Sequence, residues 1–295
     1  MTRLAKAPAH TNAPTDAHRV VVASWSGGVD STGVLAHLLW RGYDVRSVTL
    51  LIYGAGFGRR EQAARHALRP ALEALAARSG ARWTHETHEA DFLWAFGDGV
   101  EIPRRNKRIL DYLCVLAERH GTRNVAMGEY TGADTWLVQD HVAGADADHR
   151  ALASYLYAEY GLAWRLFSLQ DFGESRYKAD RLRIGYDALG PAIALTANCL
   201  VDDPAADAGQ HCGACYKCVE RAAAFDAVPL YDPTPYATPP RDAPSYADYR
   251  RQMRGETLTR AFASFETSGV MPLPADDDAA ARALSSASPS ARGHG

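Results

Sequence analysis

The 295-residue chain lacks several features that mark large classes of proteins. No apolar run approaches the roughly 18 residues that a membrane-spanning helix needs, so we expect no membrane partner. The net charge is only −3, which gives no strong positive field to attract nucleic acid, and a nucleic-acid partner is not expected. Residues 1–18 lack the apolar core of a secretory signal, which predicts a cytoplasmic protein.

Cysteine is scarce, with five residues in the whole chain. Four of the five lie between positions 199 and 218, a clustering that favours a metal site over disulfides in a reducing compartment. The fifth, Cys114, lies within the apolar run 109–116. We expect Cys114 to be a buried core thiol.

Short apolar runs rich in β-branched residues alternate with segments of helical periodicity along most of the chain. The runs predict strands at 19–24, 45–52, 81–85, 124–128 and 164–169. The periodic segments predict helices at 31–41, 60–78, 106–120, 149–160 and 175–186, and a further short helix is expected to span 246–265. This alternation predicts an α/β fold, a doubly wound parallel sheet, followed by a C-terminal zinc-binding segment.

Composition divides the chain into four expected parts. Residues 1–18 form a disordered N-terminal lead, and residues 19–198 form an ATP-binding α/β domain. Residues 199–228 form the four-cysteine zinc segment. Residues 229–295 form a proline-rich extension whose Ala-, Ser- and Asp-rich end is expected to be disordered.

The string Ser26-Gly27-Gly28-Val29-Asp30-Ser31 connects the first predicted strand to the first predicted helix. In open α/β sheets, ligands bind beyond the carboxyl ends of the strands, which is where this loop lies. The glycines let backbone N–H groups approach phosphate oxygens, and the helix start adds unpaired N–H groups. Asp30 is expected to cap the helix or to help hold Mg²⁺. A plain glycine turn capped by a polar residue is the simpler alternative.

No lysine follows the glycines, so the loop is not the GxxxxGK[ST] motif of the other large NTPase class. The whole string instead resembles the signature of the PP-loop ATP pyrophosphatase superfamily. That resemblance implies that ATP binds with Mg²⁺, that AMP is attached to a substrate oxygen, and that pyrophosphate is released. The residues implied in nucleotide binding are Ser24, Ser26, Gly27, Gly28, Val29, Asp30 and Ser31.

The second motif is Cys199-x12-Cys212-x2-Cys215-x2-Cys218. Four thiolates give Zn²⁺ a complete tetrahedral shell with no position for water, which favours a structural metal. Lys217 and Arg221 are expected to offset the charge of the thiolates. An iron–sulfur cluster, or a redox or sulfur-transfer thiol pair, would also use cysteines and stays open. The neighbouring His211 is superfluous as a ligand.

Together, the two motifs resemble the 7-cyano-7-deazaguanine synthase family of queuosine biosynthesis. Shorter strings resemble that family in the same order, namely residues 102–106 (IPRRN), 128–129 (GE), 148–150 (DHR) and 175–180 (SRYKAD). The resemblance covers about residues 19–226. It implies a ligase that adenylates 7-carboxy-7-deazaguanine and uses ammonia to form the nitrile. It also implies a homodimer.

The resemblance assigns roles to individual positions. Lys178, Asp30, Ser31 and Arg150 are implied as catalytic residues, with Arg105 as a further candidate. Asn106 and Gly128 are implied to face the nucleotide or the deazaguanine, and the cofactors are ATP, Mg²⁺ and Zn²⁺.

Two segments depart from the family pattern. Residues 53–61 (YGAGFGRRE) lack the family's Gln and His, and residues 129–147 form an unusual insert. These departures favour an alternative, a paralogue that adenylates a related deazapurine acid or another carboxylate for a different nucleophile, in a natural-product or defence pathway. A third hypothesis is tRNA thiolation or base modification, and a non-catalytic nucleotide-binding module is the last.

Overall fold

The computed structural model describes residues 19–51, 58–89, 105–128, 152–173, 177–199, 201, 209–228 and 230–254. Within these residues, five strands form one all-parallel sheet in the order β3-β2-β1-β4-β5. The strands are β1 Val20–Ser24, β2 Asp44–Leu51, β3 Trp83–Glu89, β4 Asn124–Ala126 and β5 Arg165–Phe167. The predicted parallel sheet is confirmed.

Seven α-helices accompany the sheet in the described part of the chain. They are α1 Val29–Trp40, α2 Gly58–Ser79, α3 Arg105–Arg119, α4 152–160, α5 Lys178–Leu189, α6 Tyr216–Asp226 and α7 Tyr246–Met253. Short 3₁₀ turns occupy Leu169–Asp171, Gly190–Leu195 and Pro240–Asp242. No helix in the described ranges is long and apolar enough to cross a membrane.

The sheet is covered on both faces, as its doubly apolar first strand predicts. On one face, Val21 and Ala23 of β1 pack with residues of α1, α2 and α5. On the other face, Val22 packs with residues of α3 and α4. A central parallel strand that is buried on both sides has this continuous apolar composition.

The chain changes direction beside β1. It first proceeds outward through β2 and β3, and then returns to β4 on the other side of β1. In this architecture, ligands usually bind at the carboxyl ends of the two strands where such a reversal occurs, here β1 and β4. The loop at residues 26–31 follows β1, and Gly128 follows β4 closely.

Strand β3 differs most from its prediction. The sequence predicts residues 81–85, whereas the strand spans Trp83–Glu89 and pairs with β2 along its length, from Val45↔Trp83 to Leu51↔Glu89. Strand β3 lies at the sheet edge with much of one face exposed, so its sequence, WTHETHE, is polar. A polar sequence of this kind does not by itself predict the full strand. Backbone pairing with β2 decides the conformation there.

The C-terminal part packs onto the sheet domain through a third apolar cluster. Ala179 and Leu182 of α5 meet Val219 of α6 and Tyr249 of α7 there. Helix α7 ends at Met253, inside the range 246–265 predicted for it, and residues after 254 lie outside the described residues. The expected four-part division of the chain stays a prediction.

Candidate functional site

The loop between β1 and α1 is built so that only glycine fits at one of its positions. Gly27 has φ +96°, and a Cβ there would lie 2.8 Å from the carbonyl oxygen of Glu61 in α2. The carbonyl oxygen of Gly27 accepts a hydrogen bond of 3.0 Å from the N–H of Ala197. Backbone groups of two other segments therefore lie against the loop, one of them hydrogen-bonded to it.

The two serines of the loop are linked to each other. Their hydroxyl oxygens lie 3.1 Å apart, and the N–H of Ser26 donates to the hydroxyl of Ser31 at 3.2 Å. The N–H of Gly28 donates to the hydroxyl of Ser26 at 3.2 Å. Gly28 is the N-cap of α1, and it has no side chain that could cap this helix start. A helix start with this composition suits an anion, since its N–H groups and dipole favour negative charge.

Asp30 does not cap α1, contrary to one expectation from the sequence. Its carboxylate oxygens accept hydrogen bonds of 3.1 and 3.0 Å from Nζ of Lys178, the first residue of α5. A guanidinium nitrogen of Arg181 lies 3.6 Å from the same carboxylate. Burial alone would raise the pKa of Asp30, but Lys178 and Arg181 outweigh it and hold that pKa at about 2.

Gly128 lies directly against the phosphate loop. A Cβ at this position would be 2.9 Å from the backbone nitrogen of Ser31 and 3.2 Å from its Cα. The end of β4 can approach the start of α1 only because residue 128 has no side chain. The structure thus brings Gly128 next to the loop, while its role in nucleotide binding stays a prediction.

The other predicted binding and catalytic residues are placed less completely. Ser24 ends β1, immediately before the loop region, and Val29 is buried as the first residue of α1. Arg105 and Asn106 begin α3, but their side chains lie outside the described residues, as do Arg150 and the segment 129–147. The structure therefore brings together Ser26, Ser31, Asp30, Lys178 and Gly128.

Two basic residues of the site were missed in the sequence. Arg65 of α2 donates to the carbonyl oxygen of Ser26 at 2.7 Å, and no motif signals this contact. Arg181 follows Lys178 by three residues on the same helix, a spacing that places both on one face and could have been noticed.

Trp25, just before the loop, is 1% exposed. Its indole nitrogen donates to the hydroxyl of Thr32 at 3.0 Å, and its ring packs edge-on against Trp83. A side chain buried in this way packs in the core beside the loop, which favours a packing role over stacking on a ligand base.

The four predicted cysteines form a compact cluster. Their sulfur atoms all lie within 4.8 Å of one another. Cys218 has its sulfur 3.4 Å from that of Cys215 and 3.9 Å from that of Cys212. A tetrahedral Zn²⁺ with metal–sulfur bonds of about 2.3 Å places its ligand sulfurs about 3.8 Å apart, so the cluster fits this ion. His211 is not part of the cluster, and Cys114 is a fully buried core thiol as predicted.

Helix α6 and the chain after it hold the cysteine loop in place. Cys215 is the N-cap of α6, and Cys218 lies in its first turn. Gly213 has φ +77°, and the backbone of Thr238 crosses it so closely that no side chain would fit. The N–H of Thr238 donates to the carbonyl oxygen of Cys212 at 3.1 Å. Residues 230–242 thus close over the cysteine loop.

The sequence suggested that Arg221 offsets the charge of the thiolates, and the structure gives this side chain further partners. It is fully buried and forms an ion pair of 3.0 Å with Asp232. It also donates to the carbonyl oxygens of Thr196 at 2.8 Å and Ala194 at 2.7 Å. Arg221 therefore joins α6, the turn before Cys199 and the C-terminal segment, and the distance of Asp232 in sequence hid this role.

Comparison with known proteins found no family model that matches the chain. The chain is 28% identical over 235 residues to the 7-cyano-7-deazaguanine synthase of Cupriavidus necator, a match that covers 72% of this chain and 94% of the relative. That relative is a synthase, and the similarity supports a related enzymatic function. The chain is thus distantly similar to this one 7-cyano-7-deazaguanine synthase, in agreement with the resemblance that its motifs carry.

Proposed function

We propose that this protein is an ATP-dependent ligase that adenylates 7-carboxy-7-deazaguanine and uses ammonia to form 7-cyano-7-deazaguanine. The observation that carries the proposal is the phosphate loop, in which Asp30 contacts Lys178 beside the uncapped start of α1. The similarity to a named 7-cyano-7-deazaguanine synthase supports the choice of substrate.

The loop has the groups that a pyrophosphate needs. The N–H groups at the start of α1 and the hydroxyls of Ser26 and Ser31 would donate to phosphate oxygens. Lys178 and Arg181 would supply positive charge where negative charge develops in the transition state. Asp30 would hold Mg²⁺, which offsets the charge of the triphosphate when it is bound.

The chemistry follows from the weakness of a carboxylate as an electrophile. One carboxylate oxygen would attack the α-phosphorus of ATP and expel pyrophosphate. Ammonia would then attack the acyl carbon and expel AMP, which gives the primary amide. A second ATP would activate the amide oxygen in the same way, and loss of AMP and protons would leave the nitrile. Both halves use one phosphate loop and need no further cofactor.

Zinc would have a structural role and would take no part in these reaction steps. Four cysteine ligands leave no open position, so the ion would hold the segment 199–218 and the start of α6 in shape. Because α6 packs on α5, which carries Lys178, the metal would support the site from a distance.

ATP–pyrophosphate exchange tests the adenylation step directly. With 7-carboxy-7-deazaguanine and Mg²⁺, labelled pyrophosphate should enter ATP at a rate that depends on the acid. Asp30→Ala should abolish the exchange, and Asp242→Ala, an exposed aspartate far along the chain, should retain it. An exchange rate that is the same with and without the acid would contradict the proposed substrate. Absence of any exchange would contradict adenylation.

The altered segment 53–61 favours one second candidate, a paralogue that adenylates another carboxylate. In that case the same exchange would occur with a related deazapurine acid and not with 7-carboxy-7-deazaguanine. A panel of such acids in the exchange assay distinguishes the two candidates.

A further inference from the structure

Four successive carbonyl oxygens at the start of the phosphate loop each accept a hydrogen bond from a different part of the molecule. In chain order, these acceptors belong to Trp25, Ser26, Gly27 and Gly28. Their donors, in the same order, are the hydroxyl of Thr49 at 2.5 Å, the guanidinium of Arg65 at 2.7 Å, and the N–H groups of Ala197 and Thr32 at 3.0 Å each. The two side-chain donors lie well outside the loop in sequence.

Thr49 reaches the loop because strand β2 pairs with β1 up to the end of β1. Ser24 pairs with Val48, and the carbonyl oxygen of Val48 accepts a hydrogen bond of 2.8 Å from the N–H of Trp25. Thr49 is the next residue of β2, is 4% exposed, and donates its hydroxyl hydrogen to the carbonyl of Trp25. The position of this hydroxyl is thus set by the register of two neighbouring strands.

Arg65 reaches the loop because the first turns of α2 pack directly on it. A Cβ at Gly27 would lie 2.8 Å from the carbonyl oxygen of Glu61 and 3.5 Å from the backbone nitrogen of Arg65. Arg65 is 8% exposed, and its Nη1 donates to the carbonyl oxygen of Ser26. The helix backbone therefore fixes the guanidinium against the loop.

These contacts set the direction of the loop's N–H groups. No peptide bond in the described ranges is cis, and in a trans peptide the carbonyl oxygen and the following N–H point to opposite sides. The hydroxyl of Thr49 thus directs the N–H of Ser26 the other way, where it donates to the hydroxyl of Ser31 at 3.2 Å. Arg65 likewise directs the N–H of Gly27 away from α2.

A loop with two adjacent glycines needs this support. Glycine has few steric limits on its backbone angles, so the peptide planes beside Gly27 and Gly28 can turn over at little cost. A reversed plane would present a carbonyl oxygen, instead of an N–H group, to a bound phosphate, and the negative charges would repel each other. The outside donors oppose the reversal, because a buried carbonyl oxygen that loses its donor destabilises the fold.

We propose that Thr49 and Arg65 are positioning residues that hold the phosphate loop with its N–H groups towards the pyrophosphate part of ATP. This inference rests on the proposed function. Both residues act through the loop backbone, since Oγ1 of Thr49 and Nη1 of Arg65 are directed at loop carbonyl oxygens.

Titration calorimetry on the full chain tests the proposal, with a non-hydrolysable Mg-ATP analogue and AMP as probes. Thr49→Val replaces the hydroxyl by a methyl group of similar size and leaves the charge of the protein unchanged. We expect it to lower the affinity for the ATP analogue about five- to tenfold, as for one lost buried hydrogen bond. AMP has no pyrophosphate, so its affinity should stay close to that of the wild type. Thr49→Ser retains a hydroxyl and should retain most of the affinity for the ATP analogue.

Arg65→Met, compared with Thr49→Val, separates the effect of orientation from that of charge. It removes a donor and a positive charge together, so we expect the affinity for the ATP analogue to fall about tenfold or more. Arg65→Lys keeps the charge and should bind more tightly than Arg65→Met. Thr87→Val alters an exposed threonine of β3 and should bind as the wild type does. The melting temperature and zinc content of each variant are measured, and if Thr49→Val does not fold, Thr49→Ala takes its place.

Three outcomes would overturn the positioning role and leave the proposed function intact. The first is wild-type affinity in Thr49→Val, which would show that only the charge of Arg65 matters. The second is an equal loss in Thr49→Val and Thr49→Ser, which would indicate packing and not the hydroxyl. The third is an equal loss for AMP and the ATP analogue, which would indicate general damage to the site. Failure of the wild-type protein to bind the ATP analogue would overturn the proposed function and this inference with it.

Discussion

At the scale of single residues, the proposed function depends on contacts around the phosphate loop. Lys178 and Asp30 lie 148 positions apart in sequence and meet at 3.0 Å. The loop motif and the lysine could both be identified from sequence because each belongs to a recognisable string. Arg65 could not, and neither could the contacts of Arg221, since each of the two side chains donates to backbone oxygens that only the folded chain brings near.

We expect Lys178→Met to reduce ATP–pyrophosphate exchange by at least a hundredfold, because it removes a fixed positive charge from the phosphate site. Lys178→Arg should retain more activity than Lys178→Met, since it retains the charge. Exchange at the wild-type rate in Lys178→Met would show that the lysine only stabilises the fold through Asp30.

Gly128→Ala should weaken both the fold and nucleotide binding. The new methyl group would lie 2.9 Å from the backbone nitrogen of Ser31, so β4 or the loop must move. We expect a loss of about 1–3 kcal/mol in the free energy of unfolding, as for other overpacked sites. Gly209→Ala, where no atom lies within 4 Å of the added group, is the matched control. Urea denaturation of both variants measures the difference, and equal stability would contradict the close approach of β4.

At the scale of helices and strands, the sequence predicts the buried elements well and the edge poorly. The apolar runs identify β1 and β2 because both of their faces are covered, and each strand ends within a residue of its prediction. The alternating polar residues of β3 predict a strand that is too short, since pairing with β2 extends it to Glu89. The sequence also does not predict that residues 230–242 lie over the cysteine loop, because the contacts there are mostly backbone hydrogen bonds.

Metal removal should destabilise the region around α6. Cys215→Ser should lower the zinc content from about one ion per chain and reduce the melting temperature, since the free energy of metal binding stabilises the folded state. Cys114→Ala removes a buried thiol outside the cluster and should leave zinc content unchanged. Iron with visible charge-transfer absorption in the purified protein would instead indicate a cluster.

The ion pair of Arg221 and Asp232 should be essential to the stability of the same region. Asp232→Asn leaves a fully buried guanidinium with a weakened partner, which we expect to cost about 3–5 kcal/mol in the free energy of unfolding. Asp242→Asn, on the exposed 3₁₀ turn that follows, should cost little. Thermal denaturation of the two variants compares them directly. A small effect of Asp232→Asn would mean that the carbonyl acceptors alone suffice for Arg221.

At the scale of the whole molecule, the buried histidines make the free energy of unfolding depend on pH. Burial lowers the pKa of His37 and of His211 from 6.5 to about 4. The unfolded chain therefore binds more protons than the folded one between those values, and stability falls as the pH falls from 6.5 towards 4. Nε2 of His37 lies 2.6 Å from the carbonyl oxygen of Ile184, and its Nδ1 has no hydrogen-bond partner among the described residues.

We expect the melting temperature to drop by several degrees between pH 7 and pH 5. His37→Gln should flatten this dependence because its amide can donate to the same carbonyl and does not titrate. His66→Gln, an exposed site, should leave it as in the wild type. A melting temperature independent of pH over this range would contradict the burial of neutral histidines.

The proposed function requires that the protein transfers AMP to a carboxylate oxygen. It is tested most directly with 7-carboxy-7-deazaguanine labelled with ¹⁸O at both carboxylate oxygens, in the presence of ammonia and Mg-ATP. Adenylation predicts that each nitrile formed releases two AMP molecules, each carrying one ¹⁸O atom, as measured by mass spectrometry. Formation of ADP, or of AMP without label, would contradict the account.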